Sequence, residues 1–248
     1  MAFQNGWRGP NIVSDGLVFY LDAGSPNSYR SDFRTIWKDI SGFNNSGSLI
    51  NGPTYNTANG GSILFDGLDD YANLESVRTQ VLTYTTAVTF DIIFNMSQWV
   101  NSSYNGVLVL GRNPDPGGGS QSYLVSSIDV SGLFLAFFGN SDGTRGSTIA
   151  SPSQIQTNTV YNFTMTYNSG VCNLYQNGSL VSTATNSTST IYNTNQNNFY
   201  IGGDSRYSPG SSGRYFNGFV YNTKIYNRAL SASEVLQNYN ALKSRFSL

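Results

Sequence analysis

Three carboxylates crowd one five-residue stretch of this chain, Asp66-Gly67-Leu68-Asp69-Asp70. A hard cation such as Ca²⁺ takes about six to eight oxygen ligands, and a turn of this kind supplies several at once. Asp66, Asp69 and Asp70 are therefore the candidate calcium ligands, with Asp22 and Asp204 at other strand ends as further donors. The spacing is not that of a twelve-residue helix–loop–helix calcium loop. The competing reading is that these Asp side chains close their own turn through bonds to backbone N–H groups.

Other reactive groups are few. The sequence contains no His, which removes Ser-His-Asp triads and the commonest zinc ligand. The single cysteine, Cys172, then lacks an imidazole partner and reads as a small buried hydrophobe. Glycoside hydrolysis needs two facing carboxylates, about 5 Å apart in retaining enzymes. There are only two glutamates, Glu75 and Glu234, and no pair of Asp residues alternates within a strand. Sugar recognition asks less: flat aromatic faces plus side chains that read hydroxyls. Trp99, Tyr104 and Arg112 in the middle segments, with Arg206, Tyr207 and Tyr215 in a late loop, are the candidate carbohydrate contacts. The competing role for these aromatics is to cover the sheets.

Those residues must be positioned by strands. Val88, Phe90, Ile92 and Phe94 alternate with Thr89 and Asp91, and Tyr161, Phe163, Met165 and Tyr167 alternate with Asn162, Thr164 and Thr166. Period two places each set on one face of a strand. Further apolar runs fall at 16–21, 62–65, 107–110, 199–201 and 219–226. Segments 123–128 and 133–138 read as one hairpin, and 171–176 and 179–183 as another around Asn177-Gly178. Asn-Gly suits a type I′ turn, whose two central residues both need positive φ. Only the end of the chain breaks the pattern. Ser231 and Glu234 have capping-box spacing, and Val235, Leu236, Tyr239, Leu242 and Phe246 recur at helical intervals, predicting one helix against a sheet edge. Many short strands and one C-terminal helix predict an all-β, antiparallel two-sheet jelly-roll sandwich.

At 248 residues, one such domain accounts for the whole length: an extended N-terminal arm over 1–14 and a domain over 15–248. Gly6, Gly9 and Pro10 keep the arm irregular, and Phe3, Trp7 and Arg8 are candidate anchors to a partner or to the domain itself. Net charge is −1 with only 11% charged residues, which speaks against nucleic acid and against a membrane surface as partners. The N-terminus lacks the charge and apolar run of an export signal, and no apolar stretch could span a bilayer. Ten Arg against three Lys favours planar contacts to other proteins, copies of the chain included.

Taken in order, the blocks GLVFYLDAGSPNSY (16–29), TIWKDISG (35–42), NGGSILFDGLDDY (59–71), CNLYQNGSLVSTAT (172–185), IGGD (201–204) and FNGFVYNTKIYNRALSASEVLQNYNALKSRF (216–246) resemble laminin-G-like jelly rolls. These domains belong to the concanavalin A-like lectin/glucanase superfamily, and the blocks are of the type found in tailed-phage structural proteins. The resemblance implies two curved sheets, sites on a concave face or at rim loops, sugar binding in many relatives and rim Ca²⁺ in some. Its glucanases carry two Glu flanking an Asp at alternate positions, a pattern this chain lacks. The expected function is that of a non-enzymatic virion structural protein, a capsid decoration or fibre-type subunit. Its arm would hold other virion proteins and its jelly roll would take surface glycans. A stand-alone lectin is the alternative, and a glycoside hydrolase a remote one.

Overall fold

A computed structural model describes residues 11–30, 35–74, 77, 85–99, 104–112, 122–191, 198–203 and 215–246, with only the backbone of 104–112, 122, 125 and 198. In chain order the strands are β1 (Leu17–Asp22), β2 (Ile36–Trp37), β3 (Gly47–Ile50), β4 (Thr54–Asn56), β5 (Ser62–Asp66), β6 (Tyr71–Asn73), β7 (Ala87–Met96), β8 (Tyr104–Arg112), β9 (Ser122–Asp129), β10 (Phe134–Phe138), β11 (Ile149–Ala150), β12 (Val160–Asn168), β13 (Val171–Gln176), β14 (Ser179–Thr185), β15 (Asn198–Ile201) and β16 (Asn217–Tyr226). An α-helix, α1 (Ala232–Leu242), follows and runs into a 3₁₀ turn at Lys243–Arg245; a further 3₁₀ turn spans Ala58–Gly60 between β4 and β5.

The strands form two eight-stranded sheets. The first has the order β14-β13-β12-β7-β16-β5-β4, with β1 also on β16, and the second runs β11-β10-β9-β8-β15-β6-β3-β2. Strand β16 carries two partners along one edge: residues 217–220 pair with β5 and residues 222–226 with β1. The inward residues of both alternating sets meet between the sheets. Phe134 and Phe163, one from each sheet, stack with centroids 4.1 Å apart at 2°. Both are fully buried, and Phe94, Phe90, Tyr123 and Phe199 extend the same aromatic core.

The other face of the first sheet is buried too, which alternation alone does not reveal. The helix lies across this face rather than along a sheet edge. Val235 and Leu230 pack on Tyr226 and Tyr175, and Leu242 and Phe246 pack on Ile93, Val160 and Tyr221. Leu236, counted in the expected apolar stripe, is 45% exposed, and Asn238 takes the inward position instead. Between these apolar patches lies a polar layer. Lys224 Nζ donates to Asp91 Oδ1 (2.7 Å) and Asn222 Oδ1 (2.8 Å), and Asp91 Oδ2 accepts from Thr164 Oγ1 (2.7 Å) and Asn162 Nδ2 (3.0 Å).

The base of the expected arm is seated on this helix. Val13 N donates to Asn238 Oδ1 and Val13 O accepts from Tyr226 OH, while Gln237 Nε2 donates to Asn11 O. Phe3, Trp7 and Arg8 lie outside the described residues.

Turn chemistry follows the residues. Asn177 and Gly178 have φ of 50° and 78°, as a type I′ hairpin requires. The capping box at Ser231 and Glu234 forms, and Arg228 adds a fork of two bonds to the Glu234 carboxylate (2.6 and 2.9 Å). Arg228, then the Ser231 N–H, hold the Glu234 carboxyl down at about 2, below its ordinary 4.5. A depressed carboxyl stabilises the fold above the unfolded pKa and loses that contribution as pH falls from about 4.5 to about 2. The full shift corresponds to ~3.4 kcal/mol, which partial solvent screening reduces to about 1–2 kcal/mol. Glu234→Gln should therefore cost that much at pH 7 and almost nothing at pH 2, measured by urea unfolding at both pH values.

Candidate functional site

The acidic stretch links the two sheets: β5 ends at Asp66 and β6 begins at Tyr71. Gly67 takes φ of 80°, and a Cβ there would lie 2.8 Å from Asn217 Cβ, so the turn requires glycine. Asp66 Oδ1 accepts from Leu68 N (2.8 Å) and Asp69 N (3.4 Å), and Asp70 Oδ2 accepts from Asp66 N (3.0 Å). Two amides brace the turn from outside, Asn217 Nδ2 on Asp66 O (2.8 Å) and Asn51 Nδ2 on Asp69 O (2.9 Å).

Asp66 and Asp70 make the bonds of the turn-closing reading, and the three carboxylates also stand close together. One oxygen from each of Asp66, Asp69 and Asp70 lies within 4.8 Å of the others. Burial raises the Asp70 carboxyl to about 6, and the charges of Asp66 and Asp69 add to the shift. Three carboxylate oxygens are half or fewer of the roughly six to eight ligands that Ca²⁺ takes. Asp22 is not available to them. It pairs with Arg245 Nη1 (2.7 Å) and accepts from Gly24 N and Tyr20 OH. Asp204 lies outside the described residues.

The expected carbohydrate contacts that are described do not converge on one place. Tyr104 pairs with Asp129 at one end of β8, and Arg112 pairs with Ser122 and Asn198 at the other. Nine residues of strand put them roughly 25 Å apart. Trp99 is half-buried, packed against the core and over Gly132. Tyr215, expected in an exposed loop, is 2% exposed and sits against Gly203, so it presents no face to a ligand. Arg206 and Tyr207 lie outside the described residues.

A different set faces outward from the second sheet. The inward residues Ala72, Ile201, Phe134, Ala136 and Phe138 force Tyr71, Asn73, Leu135 and Phe137, all half-buried, and the buried Tyr200 to the outer face. Tyr71 meets Tyr200 edge-on with centroids 5.5 Å apart, and the Arg145 guanidinium lies 4.5 Å over the Phe137 ring. Among the described residues no helix covers this face. The alternation Phe134-x-Ala136-x-Phe138 was the available signal for it. Strands of three residues, such as Tyr71–Asn73, are too short to show alternation.

Cys172 is fully buried, and burial pushes its thiol up to about 12, which fits an inert core residue.

With two antiparallel sheets packed face to face and a helix over the first, the architecture is a β-sandwich. The chain belongs to the concanavalin A-like lectin/glucanases superfamily, whose model matches residues 65–236. Among curated protein sequences nothing matches. Among solved structures it is similar to domain 4 of AbnA, an extracellular GH43 arabinanase from Geobacillus stearothermophilus, in complex with arabinotriose. That pair shares 17% identity over 90% of this chain and 98% of that one, with a TM-score of 0.61. Trypanosoma rangeli sialidase is similar at 16% identity over 92% of this chain, with a TM-score of 0.65. A botulinum neurotoxin type C chain, whose cell entry depends on two ganglioside molecules, is similar at 13% identity over 92%, with a TM-score of 0.66. This chain spans 33% of the sialidase chain and 52% of the toxin chain. At these identities the likeness is one of fold.

Proposed function

We propose that this chain is a non-catalytic glycan-recognition module that binds sugar on the outer face of its second sheet. One observation carries the reading: the helix lies over the first sheet, while Tyr71 and Asn73 stay half-buried on the outer face of the second, which no helix covers among the described residues. A flat ring beside an amide suits a sugar's apolar face and its hydroxyls. The arabinotriose complex of a similar domain, matched over almost its whole length, supports this assignment. Against catalysis stands the use of Glu234 in the helix cap and of Asp91 in a buried ion pair. A broad glycan array should show saturable binding, weakened at least about tenfold by Tyr71→Ala, with no reducing sugar released. An array without hits, or binding indifferent to Tyr71→Ala, overturns the assignment.

The acidic turn is proposed to hold Ca²⁺ through Asp66, Asp69 and Asp70. At pH 7.5, where the Asp70 carboxyl is charged, calcium should raise the melting temperature of the native chain but not of Asp70→Asn. In chelator the raised Asp70 pKa makes the charged form a burden above pH 6, relieved as pH falls from 6 to 4. Asp70→Asn should therefore gain about 1 kcal/mol in chelator at pH 7.5 and nothing at pH 4. A calcium response unchanged by Asp70→Asn excludes this turn.

The setting we propose is a virion surface, with other virion proteins as partners. Its support is the sequence blocks, together with where the arm leaves the domain. Asn11 is tied to Gln237 on the helix, on the far side of the sandwich from the second sheet. Anchor and glycan face would then point opposite ways. Deleting residues 1–10, which spares the Val13 bonds, should leave a folded domain that no longer co-purifies with particles; retention of particle binding sinks the anchor role.

A further inference from the structure

Six Asn-Gly pairs occur in the sequence, beginning at Asn5, Asn51, Asn59, Asn105, Asn177 and Asn217. Asn-Gly is the dipeptide most prone to self-modification, because glycine has no Cβ to hinder attack by its own backbone nitrogen on the Asn side chain. A folded chain suppresses this wherever the pair cannot reach the ring geometry.

Three described pairs are so restrained. Asn177 exchanges two bonds with the Asn162 backbone, and Gly178 lies under Tyr239 and Leu236. Asn217-Gly218 belongs to β16, where Gly218 is laddered between Phe65 and Met96, and a Cβ on it would lie 2.2 Å from Asn95 O. Asn59 and Gly60 offer their carbonyls to Arg245 (3.0 and 3.4 Å), and Asn59 Nδ2 donates to Tyr221 OH. Asn51-Gly52 differs. Both residues are exposed between β3 and β4, the φ values are 68° and 113°, and nothing lies within 4 Å of a Cβ built on Gly52. Its tether is the single bond from Asn51 Nδ2 to Asp69 O.

We propose that Asn51-Gly52 is a self-modifying site that adds a carboxylate to the acidic turn. The Gly52 nitrogen loses its proton and attacks Asn51 Cγ, and the Nδ2 group leaves as ammonia, giving a cyclic imide. Water then opens the ring at either carbonyl, leaving isoaspartate or aspartate. The net change is amide plus water to carboxylate plus ammonium, with no enzyme or cofactor. The product replaces the donor facing Asp69 O with an anion beside Asp66, Asp69 and Asp70. This inference does not depend on glycan binding.

The test is to hold the full chain at mildly alkaline pH and map peptides by mass spectrometry over time. Conversion at Asn51 should run at least about tenfold faster than at Asn59, Asn177 or Asn217, and faster as pH rises. In Asn51→Gln, whose ring closure is disfavoured, the early acidic species on ion exchange should disappear. An equal or faster rate at any of the other three pairs overturns the proposal, as does an acidic species that persists in Asn51→Gln.

Discussion

Lys224→Met is expected to cost about 3–5 kcal/mol of folding free energy, a large share of the 5–15 kcal/mol typical of a domain. Lys224 and Asp91 are 0% and 1% exposed, and their ion pair spans 2.7 Å between neighbouring strands β16 and β7. Every charged oxygen of Asp91 is matched, by Lys224, Thr164 and Asn162, and the ammonium also lies 5.3 Å from the Tyr20 ring. Methionine preserves the stem and removes the charge, so Asp91 is left without its counter-charge in a layer closed to water. The double variant Asp91→Leu/Lys224→Met should recover most of the loss, because buried pairs replaced by apolar groups of similar volume cost little. Urea denaturation of the single and double variants checks both. A single variant that loses less than about 1 kcal/mol would show that water reaches the layer.

Arg245→Ala is the second large effect, at about 2–4 kcal/mol. Its guanidinium reaches Asp22 Oδ1 at 2.7 Å and the carbonyls of Asn59, Gly60 and Gly61 at 3.0, 3.4 and 3.0 Å. One side chain thus joins the last turn of the chain to the end of β1 and to the segment between β4 and β5. Removing it leaves Asp22, itself 6% exposed, without its counter-charge. Arg245→Lys should restore less than half, since an ammonium cannot address four acceptors in fork geometry. Equal stability of the Lys variant and the native chain, by the same unfolding measurement, would contradict this.

Neither network was legible in the sequence, for the same reason. Thr89, Asp91, Asn162 and Thr164 read as the polar face of alternating strands, and nothing local announces that a distant helix lies over them. Arg245 and Asp22 are separated by nearly the whole chain. What was legible rests on short-range rules: the two hairpins, the long strands β7, β12 and β16, and the capped helix all have periodicity or turn chemistry within a dozen residues. Strands β2, β3, β4, β6 and β11 escaped because two to four residues cannot display alternation. For the site, the acidic turn was visible as composition. The outer face of the second sheet was not, since Tyr71 and Phe137 are brought to it from separate strands, while Tyr215 was misassigned because its Ser/Gly-rich surroundings suggested exposure that its contact with Gly203 removes.

The shared edge of β16 bears on how the chain is assembled in time. One strand near the C-terminus completes the pairing of β7 on one side and of both β5 and β1 on the other. Until it is in place, three strands made much earlier have no lateral partner there, and their hydrogen-bonding edges stand open. The first sheet therefore cannot close from the N-terminus onward during synthesis. Its closure waits for the last segments to emerge, and joining Leu17 to Tyr226 makes the fold one of high contact order, with the slow folding that entails.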